Sequence, residues 1–303
     1  MRTNRAYSIR EHFSAVRKYF ITKLSLFFLK FFNNQNLTII RDGGFGDAIM
    51  ASSVVKAIQY KYPKAKISVS SGFPEVFDNV QFSVHSRLTF PVIWLSYSHY
   101  DFFPWTIRKP LHCRLIMEEV AGVLNEHKSK HAISIDEREY KDFIRDHVEN
   151  KKYLVIQSGA GAWFQEKNWD QSKWLRLVEG LKVLGYCVYH IGTQDNAPIE
   201  GVVDFRGKTN IYESLLLVKY AKLLIGVNSF AEQAASVFNI PSVILYGPTN
   251  PRYSLNPGQV AVFSNQAFEY GDLYNLPYQF QNMNSIDVKT VLNAASTILN
   301  QTN

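Results

Sequence analysis

The sequence predicts an α/β protein with two parallel-sheet domains that face each other. Short apolar segments alternate with amphipathic helical segments in both halves of the chain, a pattern typical of parallel sheets covered by helices. In each half a glycine-containing loop follows an apolar strand, once after Arg41 and once after Gln157. The predicted segments are a leader, a first domain, a second domain and a last helix that packs back across the boundary: 1–36, 37–150, 151–285 and 286–303.

The leader, residues 1–36, is basic and is predicted to be an amphipathic helix. It contains seven Lys and Arg residues against Glu11 alone, and its apolar side chains recur at helical spacing. The apolar run is too short to span a bilayer, Lys30 interrupts it, and no signal-peptide cleavage site follows. The pattern favours a helix that lies through residues 9–32 on the anionic inner face of the cytoplasmic membrane. The alternative is a helix packed on the protein's own body.

Composition limits the other classes of partner. The net charge of the 303 residues is +7, and because the leader carries most of it, the remaining body is almost neutral and no nucleic-acid surface is expected. Cys113 and Cys187 are far apart and form no C-x-x-C motif, so neither a disulfide framework nor a zinc site is indicated. A reduced, cytoplasmic location follows.

The segment Leu37–Tyr62 reads as a buried strand, a glycine loop and a helix that ends before Pro63. Gly43, Gly44 and Gly46 allow a sharp turn and the close approach of a ligand. Asp47 follows them at the start of the helix, where it is either a helix cap or a general base. The loop lacks the third glycine of a dinucleotide-binding fingerprint, so a nicotinamide-dependent oxidoreductase is the weaker alternative.

Further strands and helices follow in the predicted order. In the first domain the pattern predicts strands at Lys66–Ser70 and Thr89–Ser96 and helical segments at Pro74–Asn79, Leu111–Val123 and Asp136–Glu149. An aromatic loop at 97–105 is interpreted as a domain wall. In the second domain it predicts a strand from Tyr153 and a helix capped by Asp170. The later strands are predicted at Tyr186–Ile191, Leu223–Val227 and Ser242–Tyr246, and the later helices at Ile211–Ala221, Phe230–Phe238 and Ile286–Leu299.

From about Leu37 to Pro257 the chain resembles glycosyltransferase family 9, the bacterial heptosyltransferases of lipopolysaccharide core synthesis. The resemblance is carried by the order and spacing of five elements: Gly46-Asp47 after the first strand, QSGAGAWFQEKNW, Gly192-x-x-Asp195, LLIGVNSFAEQAA and LYGPTNP. It implies the GT-B fold, in which two Rossmann-like domains face a central cleft. It also implies an ADP-linked sugar donor and a cell-surface glycan or lipid-linked acceptor.

The resemblance assigns roles to single positions. Asp47 corresponds to the family's catalytic base, Lys167 to the lysine of its K-x-W motif, which contacts the nucleotide diphosphate, and Asp195 to the acidic group that holds the ribose. The other positions expected to bind the donor are Gly44, Gly46, Ser158, Asn228, Ser229 and Phe230.

One family motif is altered. The family's Asp-Ser/Thr-Gly-x-x-His segment reads Asn-Ser-Phe-Ala-Glu-Gln here, so Asn228, Phe230 and Gln233 replace three of its four signature residues. Asn228 supplies no negative charge and Gln233 does not titrate near neutral pH. Ser229 and the helix amides behind it can still donate to an anion, although Ser229 can also be a plain helix cap. A changed donor sugar, a weaker enzyme or a non-catalytic sugar-binding homologue would follow.

The expected reaction needs a base on one side of the anomeric carbon and charge stabilisation of the departing diphosphate on the other. With Asp47 in one domain and Lys167 in the other, a single displacement with inversion is expected. The sequence contains no Asp-x-Asp pair, the usual carboxylate pair for a diphosphate-bound metal ion, so neither a metal nor another cofactor is expected.

Overall fold

The computed structural model describes residues 9–32, 36–77, 81–82, 90–96, 112–124, 133–160, 167–263 and 283–301, the side chains of 9–12 and 81–82 excepted. The chain divides into two compact units, Met1–Ile133 and Ser134–Asn303. Within the described residues each unit contains one sheet, and every strand pair in it is parallel. The predicted α/β fold class is therefore confirmed.

The first unit contains a four-stranded sheet with the strand order β3-β2-β1-β4. Its elements are α1 Ile9–Phe31, β1 Asn36–Arg41, α2 Phe45–Lys61, β2 Lys66–Ser71, β3 Gln81–Phe82, β4 Val92–Trp94 and α3 Cys113–Val120, with a short 3₁₀ turn at Pro74–Val76. Because β2 and β4 lie on opposite sides of β1, the strand order reverses between β1 and β4. Ligands of open parallel sheets bind at the carboxyl ends of strands at such a point.

Helix α1 packs on β4 through two hydroxyl groups. Ser25 Oγ accepts a hydrogen bond of 2.9 Å from the backbone N–H of Val92, and Thr22 Oγ1 accepts one of 3.1 Å from that of Trp94. The helix therefore packs on the protein's own body, as the alternative interpretation predicts. Among the helices of the described residues, none is both long enough and apolar enough to cross a membrane.

The opposite face of α1 exposes a row of large apolar side chains, which we call the aromatic stripe. Phe13 is 71% exposed and Phe31 is 67% exposed. The members of the stripe fall within one narrow angular sector of the helix, opposite the buried residues: Phe13, Phe20, Leu24, Phe27 and Phe31. Contact of this stripe with a membrane stays a prediction.

The second unit contains a six-stranded sheet with the order β10-β9-β8-β5-β6-β7. Its elements are α4 Lys141–His147, β5 Tyr153–Gln157, α5 Gln171–Val183, β6 Cys187–His190, β7 Val203–Asp204, α6 Ile211–Lys219, β8 Leu224–Val227, α7 Phe230–Phe238, β9 Ser242–Tyr246, β10 Gln259–Phe263 and α8 Val288–Gln301. The strand order reverses between β5 and β8, so the carboxyl ends of these two strands define the switch point of this sheet.

The division between the units differs from the boundary predicted at residue 150. Residues 134–150 belong to the second unit. Glu137 pairs with Lys219 and accepts a hydrogen bond of 2.7 Å from the Tyr220 hydroxyl. The ring of Tyr140 contacts that of Tyr212. The polar residues Asn150, Lys151 and Lys152 resemble a linker in composition, but these contacts hold the preceding helix to α6.

The last helix also differs from its prediction. The sequence predicts that it packs back across the boundary, whereas in the structure α8 packs on α5 of the second unit, with Leu292 against Gly180 and with Trp169 Nε1 donating to Ile286 O at 3.2 Å. The aromatic loop at 97–105 and the aromatic tail at 268–281 lie outside the described residues.

Candidate active site

In the first unit, Asp47 lies at the start of α2 beside the carboxyl ends of β1 and β4. Its Oδ2 accepts a hydrogen bond of 3.0 Å from the N–H of Gly44, the N-cap residue. Its Oδ1 lies 2.7 Å from Nη2 of Arg41, the last residue of β1, and Nη1 of Arg41 donates to Leu95 O at 3.1 Å. Asp47 therefore does cap the helix, from the third helical position, and the side chain is still 21% exposed.

The glycine loop explains why Asp47 reaches this position. Gly43 has φ of 128°, and a Cβ at this residue would lie 2.5 Å from Asp47 Oδ2. At Gly44 φ is −79° and a Cβ would lie 3.9 Å from the same atom. Of the three glycines predicted to allow the turn, only Gly43 is therefore required by it, since Gly44 has room for a side chain and Gly46 lies within the first turn of α2.

In the second unit, Lys167 and Asn228, two residues assigned to the donor site by the resemblance, lie together. Lys167 Nζ donates to the backbone oxygen of Asn228 at 3.0 Å and to its side-chain Oδ1 at 2.7 Å. Asn228 follows β8 directly, so this contact is at the switch point of the sheet. The ammonium group is thereby fixed next to the N-terminus of α7.

The other end of the Asn228 amide contacts a buried acid. Asn228 Nδ2 donates to Glu232 Oε2 at 2.5 Å, and the Tyr246 hydroxyl donates to Glu232 Oε1 at 2.5 Å. Glu232 is fully buried in α7. Burial raises its pKa to about 7, although the hydrogen bonds from Tyr246 and Asn228 and the charge of Lys167 act in the opposite direction.

Ser229 is the N-cap residue of α7, but its side chain makes no capping hydrogen bond. Its hydroxyl donates to Gln157 Oε1, and the same oxygen accepts from the N–H of Ala231 at 3.3 Å. A side chain from the end of β5 therefore occupies the capping position, and the alternative that Ser229 is a plain cap is wrong. Phe230 begins the helix at this point.

Ser158 and Asp195 line a cavity of about 170 Å³ between the ends of β5 and β6. Its walls also include Asn168, next to Lys167, and the indole of Trp174. Ser158 Oγ shares a hydrogen bond of 2.8 Å with Nε2 of His190. Burial lowers the pKa of His190 to about 4, with a smaller contribution from the charge of Arg206, so the ring is neutral at pH 7.

Two glycines make room for the side chain of Asn196, which lines this cavity. A Cβ at Gly159 would lie 2.3 Å from Asn196 Nδ2, and one at Gly192 would lie 2.4 Å from Asn196 Oδ1. Asn196 Oδ1 also accepts from the N–H of Thr193 at 3.2 Å. The loop after β6 is therefore held against the loop after β5, which brings Asp195 to the cavity. Gly161 lies outside the described residues.

Sequence reasoning missed four residues that hold these groups: Arg41, Gln157, Glu232 and Tyr246. Arg41 and Gln157 are polar side chains at the ends of buried strands, and Glu232 is a charge within an apolar helix. These three could have been recognised, because such a side chain needs a partner. In the part of the chain that the structure describes, no group of three or more His, Cys, Asp and Glu residues is placed to hold a metal ion.

The sequence model of one protein family, glycosyltransferase family 9 (heptosyltransferase), matches residues 111–268, just over half of the chain. Lipooligosaccharide heptosyltransferase 2 of Haemophilus influenzae is 29% identical over an alignment of 114 residues, and the match covers 33% of this chain and 33% of that protein. The match thus spans about a third of the length of the curated relatives.

Two solved structures are similar over most of the chain. A family 9 glycosyl transferase from Veillonella parvula has a TM-score of 0.68 at 16% identity and covers 88% of this chain and 97% of its own. The second is TibC of enterotoxigenic Escherichia coli, a dodecameric iron-containing heptosyltransferase solved in complex with ADP-D-beta-D-heptose. It has a TM-score of 0.69 at 18% identity, and the match covers 89% of this chain and 78% of that chain. These similarities show the predicted fold.

Proposed function

The chain belongs to glycosyltransferase family 9, and on that premise we propose that it transfers a sugar from a nucleotide diphosphate donor to an acceptor hydroxyl. The observation that supports this function best is the contact of Lys167 with Asn228 beside the N-terminus of α7. An ammonium group and the amides of a helix N-terminus together favour the binding of a diphosphate. The carboxyl ends of β5 and β8 are also where an open parallel sheet binds ligands.

The proposed donor is ADP-heptose. TibC, which has the same fold, is described in complex with ADP-D-beta-D-heptose, and the matched relative from Haemophilus influenzae is a heptosyltransferase. In this chain the ribose would lie at Asp195 and Ser158, where a carboxylate and a hydroxyl line the same cavity. A carboxylate accepts hydrogen bonds from both hydroxyls of a ribose.

The proposed reaction is a single displacement with inversion. Asp47 accepts the proton of the acceptor hydroxyl, the hydroxyl oxygen bonds to the anomeric carbon, and the bond from that carbon to the diphosphate oxygen breaks. Lys167 and the start of α7 stabilise the negative charge of the leaving diphosphate. The missing Asp-x-Asp pair in the sequence supports a reaction without a divalent metal ion.

The proposed acceptor is a glycan or lipid-linked saccharide such as the lipopolysaccharide core, reached from the inner face of the cytoplasmic membrane. The aromatic stripe supports this location, because α1 exposes it on the face opposite to β4. Arg17 and Lys30 are exposed on the same helix and would interact with anionic headgroups.

A second candidate function is a homologue that binds nucleotide sugars without transferring them. The residues Asn228, Phe230 and Gln233, which replace the family's Asp, Gly and His, favour it. The Arg41–Asp47 pair and the Lys167–Asn228 contact favour the enzyme, because both arrangements would serve catalysis.

Titration of the protein with a panel of nucleotide sugars, ADP-heptose included, tests both candidates, first without metal and then with magnesium. We expect Lys167→Met to weaken donor binding roughly tenfold or more, whereas Lys222→Met, on an exposed side chain, should not. Asp47→Asn should keep the donor affinity and reduce turnover by about 10²- to 10⁴-fold, with Asp42→Asn as its exposed control. Donor binding without transfer to any acceptor would favour the second candidate.

A further inference from the structure

A buried acid lies one helical turn behind the residue that contacts Lys167. Glu232 Oε2 accepts from Asn228 Nδ2 at 2.5 Å, and Asn228 Oδ1 accepts from Lys167 Nζ at 2.7 Å. The Asn228 amide therefore bridges a carboxyl group and an ammonium group. The negative charge that Asn228 itself lacks is supplied from within α7.

The hydrogen bonds around Glu232 allow two proton arrangements. When Glu232 is ionised, the Tyr246 hydroxyl donates to its Oε1 at 2.5 Å. When that oxygen carries a proton, the carboxyl group can donate to Tyr246, and the Tyr246 hydroxyl can turn to Ser254 Oγ, 3.1 Å away. Asn228 Nδ2 has Ser254 Oγ as a second acceptor at 2.9 Å, so neither arrangement leaves a buried donor without an acceptor.

Electrostatics links these two arrangements to the binding of an anion. A diphosphate at Lys167 would bring negative charge close to the Glu232 carboxylate in a poorly solvated environment, which favours the protonated carboxyl group. The titratable groups that face Glu232 among the described residues are Lys167, from the turn before α5, and Tyr246, from β9. Burial raises the pKa of Glu232 to about 7 even without an anion, so both forms are accessible near neutral pH.

We infer that Glu232 is a positioning residue that acts on the donor's diphosphate through Asn228 and Lys167, and that binding of the nucleotide sugar makes it take up one proton from solvent. The inference rests on the proposed function, because it requires a diphosphate at Lys167. In the bound state the neutral carboxyl group leaves the full charge of Lys167 to the phosphates. When the carboxyl group loses its proton again, the site favours release of the nucleotide.

Calorimetric titration of the full chain with ADP-heptose in buffers of different ionisation enthalpy tests the inference. The diphosphate of ADP-heptose is esterified at both ends and does not itself titrate near neutral pH. We expect the wild type to take up a proton on binding and to lose affinity several-fold between pH 6 and 8. Glu232→Gln keeps a side chain of the same shape but removes the charge, so proton uptake and the pH dependence should both be lost. The control Glu179→Gln, at an exposed residue of α5, should behave as the wild type.

A second variant keeps the carboxyl group. Tyr246→Phe removes a hydrogen bond that favours ionised Glu232, so the midpoint of the pH dependence should move to higher pH. If Glu232 had only a structural role, its replacement by Gln would weaken donor binding equally at every pH. Wild-type binding without proton uptake, or uptake that persists in Glu232→Gln, would overturn the inference, whereas a wild type that binds no ADP-heptose would contradict the proposed donor itself.

Discussion

The guanidinium group of Arg41 lies 2.7 Å from the carboxylate of Asp47 and also donates to the carbonyl oxygen of Leu95 at 3.1 Å. One buried side chain thus connects the carboxyl ends of β1 and β4 to the first turn of α2. The orientation of the candidate base is therefore set by the sheet, through a residue that no glycine-loop motif includes.

We expect Arg41→Lys to reduce both turnover and stability. Lysine keeps the charge but cannot make the two separate contacts of the planar guanidinium group. The free energy of unfolding should fall by about 1.5–3 kcal/mol, the usual value of hydrogen bonds to charged groups, and kcat should fall because Asp47 is less well oriented. Urea unfolding and initial rates measure the two effects. Arg145→Lys, in an exposed ion pair, is the control, and equal effects in both variants would contradict the assigned role of Arg41.

Serine substitutions at neighbouring glycines should have opposite outcomes. Gly43→Ser places a Cβ at φ of 128° and 2.5 Å from Asp47 Oδ2, so the variant should lose about 1–3 kcal/mol of stability. Gly44→Ser places a favoured N-cap residue at φ of −79° with room for its Cβ, so its stability should be almost unchanged. Thermal unfolding measures the stability of the two variants. Equal losses of stability in both would show that the turn does not depend on Gly43.

His190 should make the protein less stable in mild acid. Burial lowers its pKa in the folded state from 6.5 to about 4, so the unfolded chain binds the extra proton between these values. The free energy of unfolding should therefore fall by about 2–3 kcal/mol as the pH drops from 6.5 to 4. His190→Asn should lack this part of the decline, whereas His147→Asn should keep it. Urea unfolding at several pH values measures it, and identical profiles for all three proteins would exclude His190 as the source.

The aromatic stripe should control binding to anionic vesicles. Phe20 and Phe27 are 62% and 60% exposed, so replacing both with serine removes apolar surface without disturbing the buried face of α1. We expect vesicle binding to weaken roughly tenfold or more. Val183→Ser, at a residue of α5 that is 87% exposed, is the matched control. Vesicle sedimentation measures the change, and unchanged binding of the double variant would remove the stripe as a membrane contact.

The sequence predicted the helices and strands that have strong periodicity. The segments Phe230–Phe238 and Ser242–Tyr246 end at the residues predicted, because each is apolar and bounded by polar or turn residues. Strands β3, β7 and β10 were missed: β3 and β7 have only two residues each, and β10 alternates only weakly between exposed and buried side chains. The family resemblance assigned Lys167 and Asn228 to one donor site, but the direct contact between them was not predicted.

The partners of the candidate site residues could not be predicted, because they come from positions distant in sequence. Glu232 is held by Tyr246 from β9, and the start of α7 is capped by Gln157 from β5. Strand order alone makes these side chains neighbours. The same limit applies to residues 134–150, whose place in the second unit depends on contacts with α6 that their charged composition does not indicate.

The two hydroxyl contacts of α1 have a consequence for the association of the protein. In the part of the chain that the structure describes, β4 is the last strand of its sheet. The N–H groups of Val92 and Trp94 donate to Ser25 and Thr22, and they would otherwise be open to pairing with a strand of another molecule. Helix α1 therefore protects an aggregation-prone sheet edge with one face while it presents phenylalanines on the other. Deleting the whole helix would remove both features at once and produce a protein that tends to self-associate.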